Sequence, residues 1–332
     1  MKILRGVVAA GFTALGLWFA LRGVDWAGVR VAAAHVQGPW TLLAIPAAGL
    51  AEFLLRTERW RILLGAPRSA RRGLFPTVAG AFFLNNVLPF RAGEAARVYW
   101  THRRTGRPVA GCVAVLAVDR LWDMVSIGGL FLLAVASGGG NGLSTGAVRG
   151  LFAAAGSGLT GIALLVVFRQ RMGAWVGRAP WPARVRRTAA VFLEGAAGLN
   201  SWRSLLSVVL LSAGIWGLNV GLLQLIAAVF HLILTGSQAA WLLGGLALGV
   251  ALPSTPGYIG TFEAAGVAAL VSLGMDRTAS FSFLIVFHAA QILSTAIWGG
   301  PSLWVAGARS SSPPLVTATD GALPPNVIKF YQ

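Results

Sequence analysis

Leu252-Pro253-Ser254-Thr255-Pro256-Gly257-Tyr258-Ile259-Gly260 breaks, at its centre, an apolar stretch that runs from Trp241 to Leu273. Each proline removes a backbone donor and crowds the preceding turn, and glycine carries a high entropic cost inside a helix. The stretch therefore reads as two short helices meeting at an unwound centre. Such a break at membrane depth is tolerated where protein or a water-filled cavity surrounds the freed backbone groups.

The same order of residues occurs earlier, in Leu88-Pro89-Phe90-Arg91-Ala92-Gly93-Glu94-Ala95. Both segments have Leu-Pro, then glycine, then Glu-Ala opening an apolar helix, the later one through Gly260-Thr261-Phe262-Glu263-Ala264. The run from Leu74 to Leu88 is short for a crossing and has arginines on both flanks: Arg68, Arg71 and Arg72 before it, Arg91, Arg97, Arg103, Arg104 and Arg107 after it. Since basic clusters stay cytoplasmic, a re-entrant hairpin over about 74–100 is expected on that side. An odd number of full spans follows, so the second hairpin, over about 239–274, is expected to enter from the external face. Two opposed hairpins point to an inverted repeat with a binding site at the repeat interface.

The rest of the chain fits this reading. Of 332 residues, 56% are hydrophobic and 11% charged, where an ordinary soluble domain carries about 25% charged residues. The fold class is all-α, a polytopic membrane bundle with about six full spans of apolar sequence: Ile3 to Leu21, Trp40 to Leu64, Val109 to Ala136, Ala147 to Phe168, Leu205 to Phe230 and Phe281 to Val305. No clear small-residue cleavage site follows Trp18-Phe19-Ala20, so the first span is expected to be retained. Val24 to Gln37 is mildly amphipathic and suits the interface, and the loop Ser137 to Gly142 reads as external. The segment 169–203 is strongly basic and expected to be cytoplasmic, with a loop at Pro180-Trp181-Pro182 and an interfacial helix from Arg184 to Glu194. One membrane domain is thus expected over 1–308, with a disordered Ser/Pro/Thr-rich tail over 309–332. Both termini fall on the cytoplasmic side of the cell membrane.

The net charge of +17 comes in short clusters between apolar runs. That is the pattern of anionic-lipid contact at the cytoplasmic face and not of the continuous basic surface that nucleic acid requires. The single cysteine, Cys112, excludes an internal disulfide. No His/Asp/Glu spacing suits a metal, and no P-loop or nucleophile elbow occurs, so neither metal nor cofactor is expected.

Ionisable residues inside apolar spans are costly and point to function. Asp119 and Arg120 fall mid-span, with Asp123 one turn beyond Asp119. Neighbours in sequence point about 100° apart on a helix, so Asp119 and Arg120 are expected to pair with other elements. Glu52, Arg56 and Arg59 share a face, and Arg59 and Arg61 fit an ion pair where the helix leaves the membrane. Arg56, Arg91 and Arg97 are candidates for a lipid phosphate, which guanidinium binds bidentately. Asn85 and Asn86 suit either head-group hydroxyls or freed backbone groups. Glu94 and Glu263 near helix starts suit either capping or a proton or cation site beside a head group. His288 reads as an isolated interhelical hydrogen-bonding residue.

At Asn85 to Arg97, Asp119-Arg120 and Leu252 to Glu263, the chain resembles the lysylphosphatidylglycerol synthase transmembrane-region family, also called flippase-like domain proteins. The pattern is an Asn-rich Leu-Pro-x-Arg-x-Gly-Glu-x-x-Arg segment, a later Asp-Arg, and a Pro-Gly-x-x-Gly-x-x-Glu segment, spread over roughly Met1 to Ala308. The resemblance implies handling of a lipid or polyprenyl-linked lipid, with movement between leaflets as the expected activity. It places Arg91, Glu94, Arg97, Asp119, Arg120 and Glu263 at motif positions, beside the Pro256-Gly257 turn. Longer members add a soluble aminoacyl-transfer domain. None is expected in these residues, so lysyl transfer by them is not expected. Two alternatives stay open: an intramembrane transferase with Glu94 or Asp119 as general base, and a non-catalytic partner of a separately encoded synthase. A homo-oligomer is equally compatible with the sequence.

Overall fold

A computed structural model describes residues 18, 26–27, 39–88, 91–137, 175–176, 178–195, 198–251 and 256–308. Outside the described residues lie nearly all of the expected first span and the amphipathic stretch after it, the span Ala147 to Phe168, and the tail 309–332. The described residues are helical, with no strand among them. In chain order the helices are α1 (Pro39–Leu63), α2 (Arg71–Val87), α3 (Ala92–Thr105), α4 (Val109–Ala136), α5 (Ala183–Gly195), α6 (Trp202–Val229), α7 (Gly236–Ala251), α8 (Thr261–Ser272) and α9 (Arg277–Ala308). Short 3₁₀ turns precede α2 (Arg68–Ala70) and α8 (Pro256–Tyr258).

Among the described residues, α6 and α9 are long and apolar enough to cross a membrane. At 25 and 28 residues, α1 and α4 are comparable in length. They differ in carrying charges along their middles, which their neighbours neutralise as described below. Exposed leucine, valine and tryptophan residues along α6, such as Leu206, Leu210 and Leu225, face outward, as lipid contact requires and water does not favour.

Both interrupted stretches fold as helix–break–helix units. In the first, α2 and α3 run antiparallel and approach so closely at Gly93 that a Cβ there would lie 1.9 Å from the Ala81 carbonyl oxygen. In the second, α7 and α8 do the same at Gly249, where a Cβ would lie 2.6 Å from the Thr261 carbonyl oxygen. Small residues let helix backbones meet without losing packing. Trp241 ties the far end of the second unit, donating from Nε1 to Ala269 O (3.3 Å) and Ser272 Oγ (3.1 Å).

The packing of the described helices has an exchange symmetry. The first arm of each unit packs on the long helix that follows the other unit: α2 on α9, α7 on α4. The second arms pack on their own following helices, α3 on α4 and α8 on α9. The preceding helices α1 and α6 pack on each other, and the α1·α2 and α1·α9 contacts have counterparts in α6·α7 and α6·α4. Glu94 and Glu263 each occupy the third position of a second arm. Helix α5, whose bounds match the expected helix, lies against α4 with Leu193 buried and Arg184 and Arg186 exposed.

Candidate functional site: an arginine–carboxylate cluster at the meeting of two breaks

The site is built from α1, α3 and α4. Asp119, fully buried on α4, accepts from three guanidinium groups: Arg59 Nε at 3.0 Å, Arg97 Nη1 at 2.9 Å and Arg120 Nη2 at 3.1 Å. One turn on, Asp123 accepts from Arg59 Nη2 at 2.7 Å and pairs with Arg120 Nη1 at 3.2 Å and Arg56 Nη1 at 3.7 Å. Arg59 Nη1 also donates to Ser212 Oγ of α6 (3.1 Å), and Arg56 Nε to Glu52 (2.7 Å). Aromatic rings complete the enclosure. The Arg97 guanidinium lies 3.7 Å over Trp60, and Arg56 lies 4.8 Å over Phe82, both within cation–π range.

Toward the first break the cluster opens. Arg120 Nε stands 3.7 Å from Glu94 Oε1, and Arg91 Nη1 stands 3.9 Å from the same oxygen. The side chains of Arg91, Arg120 and Glu94 are 42%, 28% and 25% exposed, whereas those of Arg59 and Arg97 are almost fully covered. Five guanidinium groups thus meet four carboxylates, leaving one positive charge in excess, and the accessible positive charge is on Arg91 and Arg120.

The two breaks touch at this opening. Asn86 O lies 3.5 Å from where a Gly257 Cβ would stand, and the Tyr258 phenol lies within electrostatic reach of Arg91, Glu94 and Arg120. Arg91 (φ 53°) and Tyr258 (φ 58°) both hold left-handed backbone, rare for side-chain-bearing residues. Such conformations cost about 1–3 kcal/mol each and concentrate at functional sites. Here there are two of them, one at each break.

The expected residues divide accordingly. Arg56, Arg91, Glu94, Arg97, Asp119 and Arg120 come together, and Pro256-Gly257 stands beside them through Tyr258. Asn86 Nδ2 instead donates to Thr295 Oγ1 of α9 at 2.6 Å, while Asn85 Oδ1 is buried near Gly93. Glu263 lies apart. Its Oε2 accepts from the Gly260 N–H at 2.7 Å, and its Oε1 meets His288 Nδ1 at 2.6 Å. Asp119 and Arg120, expected to pair only elsewhere, also pair with each other, because the long arginine side chain folds back onto an oxygen already shared with Arg97. Arg59, expected where α1 leaves the membrane, is instead buried at the centre of the cluster. Its shared face with Glu52 and Arg56 was the available signal. Arg61 does sit at a partly exposed ion pair, with Glu58 (2.7 Å) and Arg71.

Chemically, Asp119 is saturated by three cations and has no free lone pair directed at a reacting atom. Glu94 is loosely held, its ion pairs to Arg120 and Arg91 being 3.7 and 3.9 Å long. Arg91 and Arg120 present donors to one opening, a geometry that suits phosphate oxygens.

No solved structure matches the chain. A curated relative, "Glycosyltransferase AglD" of Haloferax volcanii, is 29% identical over 293 residues, an alignment covering 75% of this chain and 46% of that protein. The chain therefore spans about half the length of the relative it matches. The sequence profile of the lysylphosphatidylglycerol synthase TM region matches residues 3–299, and the described helices, with their buried ion pairs, are those of a helical membrane protein. The chain belongs to the lysylphosphatidylglycerol synthase transmembrane-region family.

Proposed function

We propose that this protein moves a lipid, or a polyprenyl-linked lipid, bearing a phosphate head group between membrane leaflets. The observation that carries the reading is the approach of the Pro256–Tyr258 turn to the end of α2 at Asn86 and Gly257, beside the accessible guanidiniums of Arg91 and Arg120. Arg91 and Arg120 hold the phosphate, with Tyr258 donating to it, and Glu94 keeps the two guanidiniums apart when the site is empty. The buried arginines Arg59 and Arg97 position Asp119 and Arg120 and do not reach the lipid. The helix–break–helix units act as opposed re-entrant hairpins, and rocking of one against the other exposes the site to each side in turn. The acyl or prenyl chains stay in lipid along the apolar outer face.

In this reading the chain lies in the cell membrane with both termini cytoplasmic. The basic segment 169–203 meets anionic lipids at that face. Vesicles reconstituted with the full chain and a panel of head-group-labelled lipids provide the test. Exchange above protein-free vesicles is expected for phosphate monoester or diester lipids, and its absence across the panel would defeat the proposal.

The name of the Haloferax relative favours a second reading, an intramembrane transferase acting on a lipid-linked substrate. Because Asp119 is saturated, Glu94 is then the base. That reading predicts a new covalent lipid product by mass spectrometry, which leaflet exchange alone does not give. If neither appears and the protein co-purifies with a separately encoded synthase, it acts as that enzyme's non-catalytic partner. Analytical ultracentrifugation tests a homo-oligomer.

A further inference from the structure

We infer that Glu94 sets the charge preference of the head-group site, favouring a singly charged phosphodiester over a phosphomonoester or a diphosphate. That preference presupposes the proposed function, in which a phosphate sits between Arg91 and Arg120.

The cluster divides into a neutral root and a charged rim. At the root, Arg56, Arg59 and Arg97 meet Glu52, Asp119 and Asp123, three cations against three carboxylates, with closest contacts of 2.7–2.9 Å. At the rim, Arg91 and Arg120 share one carboxylate, Glu94, across 3.9 and 3.7 Å. Arg120 reaches both levels. Its Nη2 and Nη1 hold Asp119 and Asp123, while its Nε, buried and without a hydrogen-bond acceptor, faces Glu94. The whole excess of one positive charge therefore stands at the rim.

Among the described residues no other charge enters that count. Beyond Arg97, the basic residues of α3 lie in its last turn. Helix α2 has Arg71 and Arg72 only at its start, and Arg71 joins Arg61 on Glu58. Helices α6 and α9 carry Arg203 and Arg277 at their starts. Glu263 is held apart by His288. The Tyr258 phenol, within electrostatic reach of all three rim groups, is uncharged near pH 7. Arg120 itself stands eleven residues, or about 16 Å, into α4, a depth at which unmatched charge is costly.

Helix capping does not account for Glu94. Glu263, at the same third position of its own arm, accepts from the Gly260 N–H at 2.7 Å and so caps α8. No side-chain cap hydrogen bond forms at the start of α3, and the two ion contacts of Glu94 are too long to be hydrogen bonds. A carboxylate held in this way cancels one of the two rim charges without fixing the local backbone. A diester, with its single charge, then brings the rim to neutrality. A second negative charge on the ligand would stand against Glu94 with no cation left to match it. With the charge of Glu94 removed, the same two guanidiniums match a doubly charged group instead.

Calorimetric titration of the full-length protein in a neutral detergent, with dihexanoylphosphatidylglycerol and with dihexanoylphosphatidic acid, reads this preference. At pH 7 the diester carries a single negative charge and a phosphomonoester about 1.5 to 2. The parent protein is expected to bind the diester at least about tenfold more tightly, since like charges are juxtaposed in the other complex. E94Q keeps the shape of the side chain and drops its charge, and the preference is expected to reverse. E94D keeps the charge, and the preference is expected to remain. A parent that binds the two lipids alike, or the monoester more tightly, overturns the inference. So does an E94Q protein that fails to fold or is weakened equally toward both lipids, either being the mark of a structural role. If neither lipid binds the parent, the phosphate site and the role of Glu94 fall together. Selective binding without exchange of the same head groups in vesicles removes the transport reading alone and leaves the role of Glu94 standing.

Discussion

Replacing Asp119 with Asn separates a structural role from a chemical one. The carboxylate accepts from Arg59, Arg97 and Arg120 at 2.9–3.1 Å, and an amide offers one oxygen where two were used. Its NH₂ group then points at guanidinium N–H groups. The three arginines do not lose equally. Arg59 keeps Asp123 at 2.7 Å and Ser212 at 3.1 Å, and Arg120 keeps Asp123 at 3.2 Å and partial exposure. Arg97 loses its carboxylate while buried and retains the Trp60 face. Removing one partner of a buried ion pair costs about 3–5 kcal/mol, mostly through the charge left behind. D119N is expected to lose that much, read as unfolding free energy in mixed micelles of dodecyl sulfate and a mild detergent. Replacing both partners with apolar residues is often near neutral, so R97M/D119L is expected to recover at least half of the loss. A D119N protein within about 1 kcal/mol of its parent, or a double variant whose loss is the sum of the single ones, refutes the assignment of Asp119 as the organising group of the cluster.

R91Q removes an arginine whose recorded ion pair is a 3.9 Å contact at the opening. It is expected to reduce leaflet exchange at least tenfold while changing stability by under about 1 kcal/mol; unchanged exchange sinks the role of Arg91. G93A and G249A place a Cβ 1.9 Å and 2.6 Å from backbone oxygens of the facing arm, so each is expected to cost about 3 kcal/mol, the upper end for overpacking. Loss of stability in one unit alone argues against their common construction. Asn86 and Thr295 touch at 2.6 Å, and Cys112 is the only native thiol to remove. In C112A/N86C/T295C, a short bifunctional thiol reagent is expected to block exchange and a reductant to restore it. Full exchange at full cross-linking shows that α2 does not move against α9.

Helix existence was readable because apolar length and proline–glycine punctuation are local properties. The segment Val109 to Ala136 appears with the expected bounds as α4, and the first arms of the two interrupted stretches end at Val87 and Ala251, just before the Leu-Pro pairs. What was not readable was partnership. Arg59 meets carboxylates 60 and 64 residues away, and a helical wheel shows only that it shares a face with Arg56. An arginine near the end of an apolar run looks the same whether it snorkels to the interface or is buried under a ring of acids. His288 illustrates the same limit: it reads as an isolated polar residue until α9 is laid against α8. A short motif suggested a repeat, but the packing of each first arm on the other unit's following helix is tertiary.

That exchange bears on why the charges divide as they do. A membrane interior penalises an unpaired charge heavily, so a site for an anionic head group needs cations held in place before the lipid arrives. Asp119 and Asp123 supply that hold for Arg59, Arg97 and Arg120 at the root of the cluster. Only the rim then remains to be satisfied, and Glu94 does so at 3.7–3.9 Å, distances long enough for a phosphate to compete. Were the rim paired as tightly as the root, binding would have to break short buried ion pairs, at a cost comparable to the gain. Loose pairing of Glu94 with Arg91 and Arg120, above tight pairing at Asp119 and Asp123, is thus what a site must have if it is to release its ligand as well as capture it.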